Sequence, residues 1–432
     1  MISEEKRALA LEKIRMRTIL HSDLNNFYAS VELLKHPECK DVPVVVCGSV
    51  EDRHGIVLAK NQLAKSFGVK TGEVLWQAKK KCKDNLITFT ADFPSYQKVS
   101  REVRKIYERF TDKIESFGID ECWLDVTNSV KIFGTGEQIA EKIRQTVKEE
   151  IGVTVSVGVS YNKVFAKLGS DMKKPDAVTV ITADNYRETV WKLPAEDLLY
   201  VGKSTKTKLN MLGIRTIGDI ANTEESVLVN LLGIWGSTLH KFANGLDDSV
   251  VDGSKGEDSV KSIGNSLTDY KDNYSFEEVK TLILLLSESV ASRLRESGLG
   301  KAKTVKLTVT DNALMTYGRQ TKLENPTRSG VDIANCAYKL FNSLYHWERP
   351  VRGVGVTVCD FTLGTEQLSF SFDLDKEDKK EKVDQAVDKI RKKYGNKSVQ
   401  RARIFQDKKW SGADIKDEHV IFPKGFTDNN KE

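Results

Sequence analysis

The chain has 432 residues, enough for roughly two to four domains, and with 39% hydrophobic and 30% charged residues it reads as an ordinary folded protein, which excludes disordered and fibrous classes. Its formal charge of +5 permits contact with nucleic acid without requiring it, so the placement of the basic residues has to decide. Six cysteines (Cys39, Cys47, Cys82, Cys122, Cys336 and Cys359) contain no C-x-x-C pair, which argues against a zinc site or a disulfide framework and predicts free thiols in a reducing compartment. The leader 1–17 is charged throughout and lacks the apolar stretch of a signal peptide. No apolar run approaches the ~18 residues a membrane helix needs, so a cytoplasmic protein with no membrane partner is expected.

In chain order, Thr18 to Leu20 leads into His21-Ser22-Asp23, a strand ending in a carboxylate, and Phe27, Val31 and Leu34 follow at helical spacing. Val42 to Val46 reads as a buried strand, and "NQLAKSFGV" as a short helix closed by Gly68. Tyr96 to Phe110 reads as a basic helix, Lys113 to Thr127 as two strands, Gly136 to Glu150 as a helix, and "VTVSVGVS" as a strand. This alternation to about Ile181 predicts an α/β or α+β region with helices covering a sheet. From Tyr186 to about Gly245 strand signals vanish. Two phrases there, "KTKLNMLGI" and "LVNLLGI", each run a short helix into Leu-Gly-Ile, which predicts a small helical domain with a weak internal repeat. The Gly-, Ser- and Asp-rich stretch Asn244 to Ser259 reads as a linker. A second α+β unit follows. It has a long helix Phe276 to Ser297, a half-buried strand alternating Val305, Leu307 and Val309 with Lys306, Thr308 and Thr310, and a second strand at Val354, Val356 and Val358. Lys376 to Tyr394 reads as an amphipathic helix with apolar positions Val383, Ala386, Val387, Ile390 and Tyr394, stopped by Gly395.

Three acids at strand ends raise a question of chemistry: Asp23, and the adjacent Asp120 and Glu121 in "FGIDECWLDVT". Neighbours in a regular strand point to opposite faces, so two carboxylates meant for one site need a turn, which Gly118 permits. Acids beside apolar strands call for cations. Magnesium takes hard oxygen ligands, and a pair of such ions clamps the oxygens of an in-line phosphoryl displacement. The other reading stands beside it: Asp23 caps the following helix, and Asp120 and Glu121 lie in an exposed hairpin.

"SDLNNFYASVE", "LAKNQLAKSFGVKTGE", "SFGIDECWLDVT" and "SVGVSYNKVFAKLGSDMKKP" together resemble, in order and spacing, the characteristic segments of the Y-family, or translesion, DNA polymerases. The likeness is nearest to the bacterial DNA polymerase IV-like members and runs from Thr18 to about Phe372. It implies a multidomain α+β fold, a right-hand polymerase: a ferredoxin-like palm (18–33 and 91–185), small fingers (34–90), a helix-hairpin-helix thumb (186–245), a linker (246–258) and an α+β little finger (259–364). A clamp-binding peptide (365–375) and a C-terminal helix, strand and tail (376–432) would follow.

The implied activity is template-directed addition of deoxynucleotides to a primer 3′-hydroxyl, including past damaged bases. Asp23, Asp120 and Glu121, with the carbonyl of Leu24, would hold two Mg²⁺ ions. Tyr28 would be the steric gate against a ribose 2′-hydroxyl. Asn61, Gln62, Lys65 and Lys174 would join it in binding the nucleotide, Gln62 standing where the family commonly has tyrosine. Gly202 and Lys203 would hold DNA in the thumb, where Tyr200-Val201-Gly202 lacks the first glycine of the family's G-x-G hairpin. Thr304, Lys306, Thr308, Thr310, Arg319 and Lys322 would face the duplex backbone. Gln367, Leu368, Phe370 and Phe372 would anchor the peptide in a sliding clamp. Primer-template DNA, deoxynucleoside triphosphates and the clamp are the implied partners of a monomer. Two rivals remain in the reading: a nucleotidyl cyclase with a similar palm, and a non-catalytic DNA- and clamp-binding paralogue.

Overall fold

The structure is a computed structural model that describes residues 16–48, 55–83, 85–252, 260–362, 374–407 and 409–412, with backbone alone at 374–378. They divide into two compact units, one within Met1–Val46, Leu58–Thr71 and Gln77–Lys255, the other within Cys47–Val57, Gly72–Trp76 and Gly256–Glu432. Two short pieces of the expected fingers therefore group with the second unit. No described helix is long and apolar enough to cross a membrane.

Between Ile19 and Val180 eight strands form two sheets: β1 (Ile19–Leu24), β2 (Val44–Cys47), β3 (Val57–Lys60), β4 (Ile87–Thr90), β5 (Ile114–Ser116), β6 (Glu121–Asp125), β7 (Val155–Ser160) and β8 (Val178–Val180). The larger sheet has the order β5-β6-β1-β7-β8 and the smaller β3-β2-β4. In the larger sheet β1 pairs antiparallel with both β6 and β7, and only β7 and β8 run parallel. β1 is buried along its whole length, six residues out of six, because helices cover both of its faces. Strand alternation sends Leu20 and Leu24 into one core, shared with Leu124, Val157 and the helices Phe93–Glu108 and Gly136–Glu150. The opposite parity, Ile19, His21 and Asp23, pairs with Asp125, Trp123 and Glu121. That face is covered by the helix Lys163–Met172.

Local signals explain these boundaries. The helix Gly136–Glu150 has the expected limits because Thr135 and Gln138 close a capping box. The helix expected from Tyr96 starts at Phe93 because Asp92 caps it and a proline follows in its first turn. The helix Lys163–Met172 is capped by Asn162, whose side chain accepts from the Phe165 N–H. It descends onto β7 at Gly158, where a Cβ would lie 1.8 Å from the Ala166 carbonyl oxygen and 2.5 Å from the Ser170 nitrogen.

The helical segment contains Lys203–Met211, Ile217–Asn222, Glu225–Leu232 and Ile234–Ala243. Both Leu-Gly-Ile phrases work alike: Gly213 (φ 75°) and Gly233 (φ 66°) leave the helix in the left-handed region, where glycine is cheapest. Tyr200, where the hairpin's first glycine is missing, itself has φ 71°, a costly conformation for a residue with a Cβ.

The stretch expected to be a linker is only partly free. Arg17 donates to the carbonyls of Asp247 (2.7 Å) and Ser249 (2.8 Å), and Asp247 is buried and accepts from the Lys163 N–H. Val251 packs with Ile19, Trp123 and Ala166. Residues 246–252 are thus a strap on the first unit, held by backbone contacts that composition does not reveal.

The second unit is a four-stranded antiparallel sheet, β9 (Ser262–Asn273), β10 (Lys301–Asp311), β11 (Thr316–Thr327) and β12 (Val351–Thr362), in the order β11-β10-β12-β9. Val305, Leu307, Val309, Val354, Val356 and Val358 are all buried against the helices Phe276–Glu296 and Gly330–Leu344. The C-terminal helix, Leu374–Tyr394, overturns the expected amphipathic face: Val383 is 57% exposed and Tyr394 67%, while Asp384 is buried. Charge decides the orientation. Arg295 holds Asp388 at 2.6 and 3.0 Å and Asp384 at 3.4 Å, Glu288 takes Arg391 and Arg401, and Arg328 pairs with Glu381. Beyond it the described residues hold a short helix, Ala402–Phe405, and residues 413–432 of the expected C-terminal segment lie outside the described residues.

Candidate active site

The hairpin between β5 and β6 answers the question of the adjacent acids. Glu121 is the first residue of β6, while Asp120 belongs to the preceding bend, Phe117 to Asp120. They therefore escape strand alternation. A Cβ on Gly118 would lie 2.9 Å from Asp120 Oδ1, so glycine leaves room for that carboxylate; its backbone is not left-handed. The Leu24 N–H donates to the Asp120 carbonyl at 3.0 Å, and Asp23 lies directly across from Glu121 in the sheet. Register and bend together bring the three acids to one end of β1.

Two of them are unwilling anions. Burial first, and then the neighbouring Glu121, push Asp23 up to about 7 although Lys174 opposes the shift; burial and Glu121 likewise push Asp120 up to about 6. Glu121 moves the other way: burial would raise it, but His21 and the Lys167 ammonium outweigh burial and hold it below the usual carboxylate range. Lys174 Nζ lies 2.7 Å from Asp23 Oδ2, and Lys167 Nζ lies 2.7 Å from Glu121 Oε2. Two ammonium groups thus sit on the acids, as expected where charge calls for cations. Three carboxylates at one end of β1 are donors of the kind a hard divalent ion takes. Among the described residues no three acidic, histidine or cysteine side chains converge into a formed metal cage.

Tyr28 stacks on Tyr96 with ring centres 4.4 Å apart and meets Phe93 edge-on at 5.9 Å. Burial and the charge of Asp120 push its phenol up to about 12, so the ring lies within electrostatic reach of the acids. Gln62 and Lys65 are exposed on the short helix Gln62–Ser66 and do not touch the acids. Asn61 is buried and caps that helix, with Oδ1 accepting from the N–H groups of Ala64 (2.9 Å) and Val44 (3.0 Å) and Nδ2 donating to Val42 O (2.8 Å). A side chain so placed fixes the start of the helix that carries Gln62 and Lys65.

Sequence reasoning missed a network behind the acids. Asn25 Oδ1 accepts from the Asp176 N–H at 2.8 Å and from Thr154 Oγ1 at 3.0 Å, and Asn25 Nδ2 donates to Ser156 Oγ at 2.9 Å. Asp176 in turn holds Arg144 at 2.6 Å and Lys148 at 2.8 Å. The turn that carries Lys174 is thereby tied to the end of β1. The signal was available for His21, which shares strand parity with Asp23, and for Lys167 and Ser170, which lie three apart on one helix.

Gly202 caps the helix Lys203–Met211, and Lys203 is exposed at its start. On β10, Lys306 is exposed and Thr308 half-buried. Thr304 is buried and donates to Asp360 Oδ2 at 2.5 Å. Arg319 is exposed, pairs with Leu307, whose side chain is on the helix-covered face, and donates to the Ser343 carbonyl at 2.9 Å. Gln320 and Lys322, opposite Lys306 and Thr304, are the β11 residues on the outer face. Gln367, Leu368, Phe370 and Phe372 lie outside the described residues.

Comparison with known proteins agrees with this architecture. Residues 22–171 match the impB/mucB/samB family, and residues 260–370 match that family's C-terminal domain. A DNA polymerase IV of Acetivibrio thermocellus is 53% identical over 394 residues, covering 91% of this chain and 98% of that protein. A DNA polymerase IV of Clostridium acetobutylicum is 35% identical over 396 residues, covering 90% of this chain and 98% of that one. DNA polymerase IV 1 of Bacillus subtilis is 34% identical over 423 residues, 97% of this chain and 99% of that one. Among solved structures, the Y-family DNA polymerase chimera of Dbh and Dpo4 superposes with a TM-score of 0.70 at 25% identity, over 80% of this chain and 100% of the chimera. The chain belongs to the impB/mucB/samB family, within the DNA polymerase IV-like branch of the Y-family polymerases.

Proposed function

We propose that this chain is a template-directed DNA polymerase of the translesion type, which extends a primer 3′-hydroxyl with deoxynucleotides and continues past damaged bases. The observation that carries the reading is the cross-strand pair Asp23 and Glu121 with Asp120 in the adjoining bend, in a chain related along 91% of its length to DNA polymerase IV. Asp23, Asp120, Glu121 and the Leu24 carbonyl would hold two Mg²⁺ ions. Bound there, the ions would supply the charge stabilisation and hydroxyl activation that phosphoryl transfer needs. The raised proton affinities of Asp23 and Asp120 support this, because each carboxylate gains from a neighbouring cation.

The chain's own side chains orient and exclude. Tyr28, braced by Tyr96 and Phe93, fits a gate that a ribose 2′-hydroxyl would strike. Lys65 and Gln62 offer donors from one helix face to a triphosphate, and Lys174, now on Asp23, is shared between acid and phosphate. Gly202 and Lys203 on the helical segment, and Lys306, Thr308 and Lys322 on the outer sheet face, would hold duplex backbone without reading sequence. The glutamine-led peptide from Gln367 to Phe372 would tether a cytoplasmic monomer to a sliding clamp.

Mg²⁺-dependent extension of a labelled primer on a template tests the reading. Stepwise deoxynucleotide addition is expected from the unaltered protein and none from Asp120→Ala plus Glu121→Ala. Binding of primer-template with no addition, all four deoxynucleotides and a clamp being present, would favour the non-catalytic paralogue. A cyclic product formed without a primer would favour the cyclase.

A further inference from the structure

His21 is buried at the centre of the sheet, and the phosphoryl-transfer reading gives it nothing to do. Its ring is fully enclosed, 0% exposed. Nδ1 lies 2.8 Å from Ser170 Oγ, and the ring meets Trp123 edge-on at 5.2 Å. Trp123 is fixed in turn, its indole N–H donating to the Lys163 carbonyl at 3.0 Å. Across the sheet His21 pairs with Gly158, whose missing Cβ lets the helix bearing Ser170 and Lys167 close onto the ring. The far nitrogen, Nε2, is buried with no hydrogen-bond partner, and it stands 3.5 Å from Glu121 Oε2.

A buried nitrogen without a partner costs the fold free energy. Leucine would fill much of the same space without that cost, so packing alone does not account for histidine here. Glu121 supplies the account. Lys167 Nζ and His21 Nε2 both approach the same oxygen, Oε2, at 2.7 and 3.5 Å, while Oε1 has no partner among the described residues. We propose that His21 is a positioning residue for the polymerase reaction: together with Lys167 it holds Glu121 by Oε2 and so presents Oε1 to the divalent cation. Ligating carboxylates are commonly held by partners of this kind, and losing one weakens metal binding. The inference rests on the metal-dependent polymerase reading given above.

The test uses the full chain with Mn²⁺ alone as probe, its binding followed by electron paramagnetic resonance without DNA or nucleotide. Primer extension then separates kcat from KM for the deoxynucleotide across a Mg²⁺ titration. His21→Leu is expected to weaken Mn²⁺ binding by ~10–100-fold and to raise the Mg²⁺ needed for half-maximal kcat in step, with KM for the deoxynucleotide unchanged. His21→Gln, which can return a nitrogen toward Glu121, is expected to recover most of the loss. Where circular dichroism shows His21→Leu unfolded, Ser170→Ala, which removes the ring's anchor at Nδ1, is read instead and is expected to weaken Mn²⁺ several-fold. Unchanged Mn²⁺ affinity in the folded variant overturns the role of His21. Asp120→Ala plus Glu121→Ala separates the two levels. If that variant loses Mn²⁺ while His21→Leu keeps it, the positioning role alone falls. If it binds Mn²⁺ like the unaltered protein, the metal reading falls and the role of His21 with it.

Discussion

Gly158→Ala is a small change with a large expected effect. The added Cβ would lie 1.8 Å from the Ala166 carbonyl oxygen and 2.5 Å from the Ser170 nitrogen, whereas Cβ contacts under 3.0 Å are essentially never found. The first contact falls short of that limit by about 1.2 Å, and both atoms belong to helix backbone, which cannot rotate away as a side-chain tip can. The helix Lys163–Met172 has to lift. Overpacking of this kind costs about 1–3 kcal/mol, or a few degrees in melting temperature for a unit of this size. The same lift carries Lys167 away from Glu121 and Ser170 away from His21. A misplacement near 1 Å costs on the order of 10²-fold in rate. Urea melts and single-nucleotide primer extension measure the two losses separately. Gly318→Ala, whose Cβ would meet nothing closer than 3.6 Å, is the control, expected to be neutral. Unaltered melting and an unaltered rate for Gly158→Ala would refute the argument that this glycine seats the helix on the sheet.

Other expectations follow from the same geometry. Asp23 and Asp120 have folded values of about 7 and about 6, both above their ordinary 3.8. The folded state therefore binds the extra protons, and the stability they contribute is full below pH 4 and lost as pH rises through 6 to 7. Metal-free melts between pH 4.5 and 8 should show this slope, and Asp23→Asn plus Asp120→Asn should flatten it. Arg295 is 8% exposed and holds Asp384 and Asp388, so Arg295→Met should cost the second unit about 3–5 kcal/mol, as read from its urea transition. Adding Asp384→Leu and Asp388→Leu should return most of that. Tyr28→Ala should raise ribonucleotide insertion relative to deoxynucleotide insertion by ~10²-fold, measured as a ratio of kcat/KM values. If Lys322 contacts a phosphate, Lys322→Ala should lower the salt slope of primer-template binding by about 0.9; an unchanged slope would remove it from the interface.

Much of the first unit was legible because its signals are local. The helix Gly136–Glu150 carries its own capping box, and β7 alternates β-branched valines with small residues. The acids could be picked out because Asp120 and Glu121 break an otherwise buried run. What escaped notice depends on partners distant in sequence. That Asn61 is tied to Val42 and Val44 could not be seen from its own segment. Arg319 is exposed, but the sheet face it lies on is set by its pairing with Leu307, which one strand alone does not reveal. β9 has few buried apolar positions, chiefly Ile263 and Leu267, and β11 is largely exposed, so neither announces itself. The helix Gly330–Leu344 was readable from Ile333, Ala337, Leu340 and Phe341 at helical spacing. In the C-terminal helix the apolar pattern misled, because the surface it meets presents arginines and buried acids outweighed exposed valine and tyrosine.

The pairing of Asp23 with Glu121 has a consequence for how such a protein can change over generations. Ninety-seven residues lie between the two in the chain, yet their distance is fixed by strands lying side by side. Lengthening or shortening the intervening loops leaves the pair intact, so that stretch is free to diversify. A single deletion within β1 or β6 shifts the pairing by one and sends an acid to the opposite face. Tolerance to insertion should therefore be higher in turns such as residues 67–68 and lowest within Ile19–Leu24 and Glu121–Asp125, a contrast that a library of one-residue insertions and deletions would display directly.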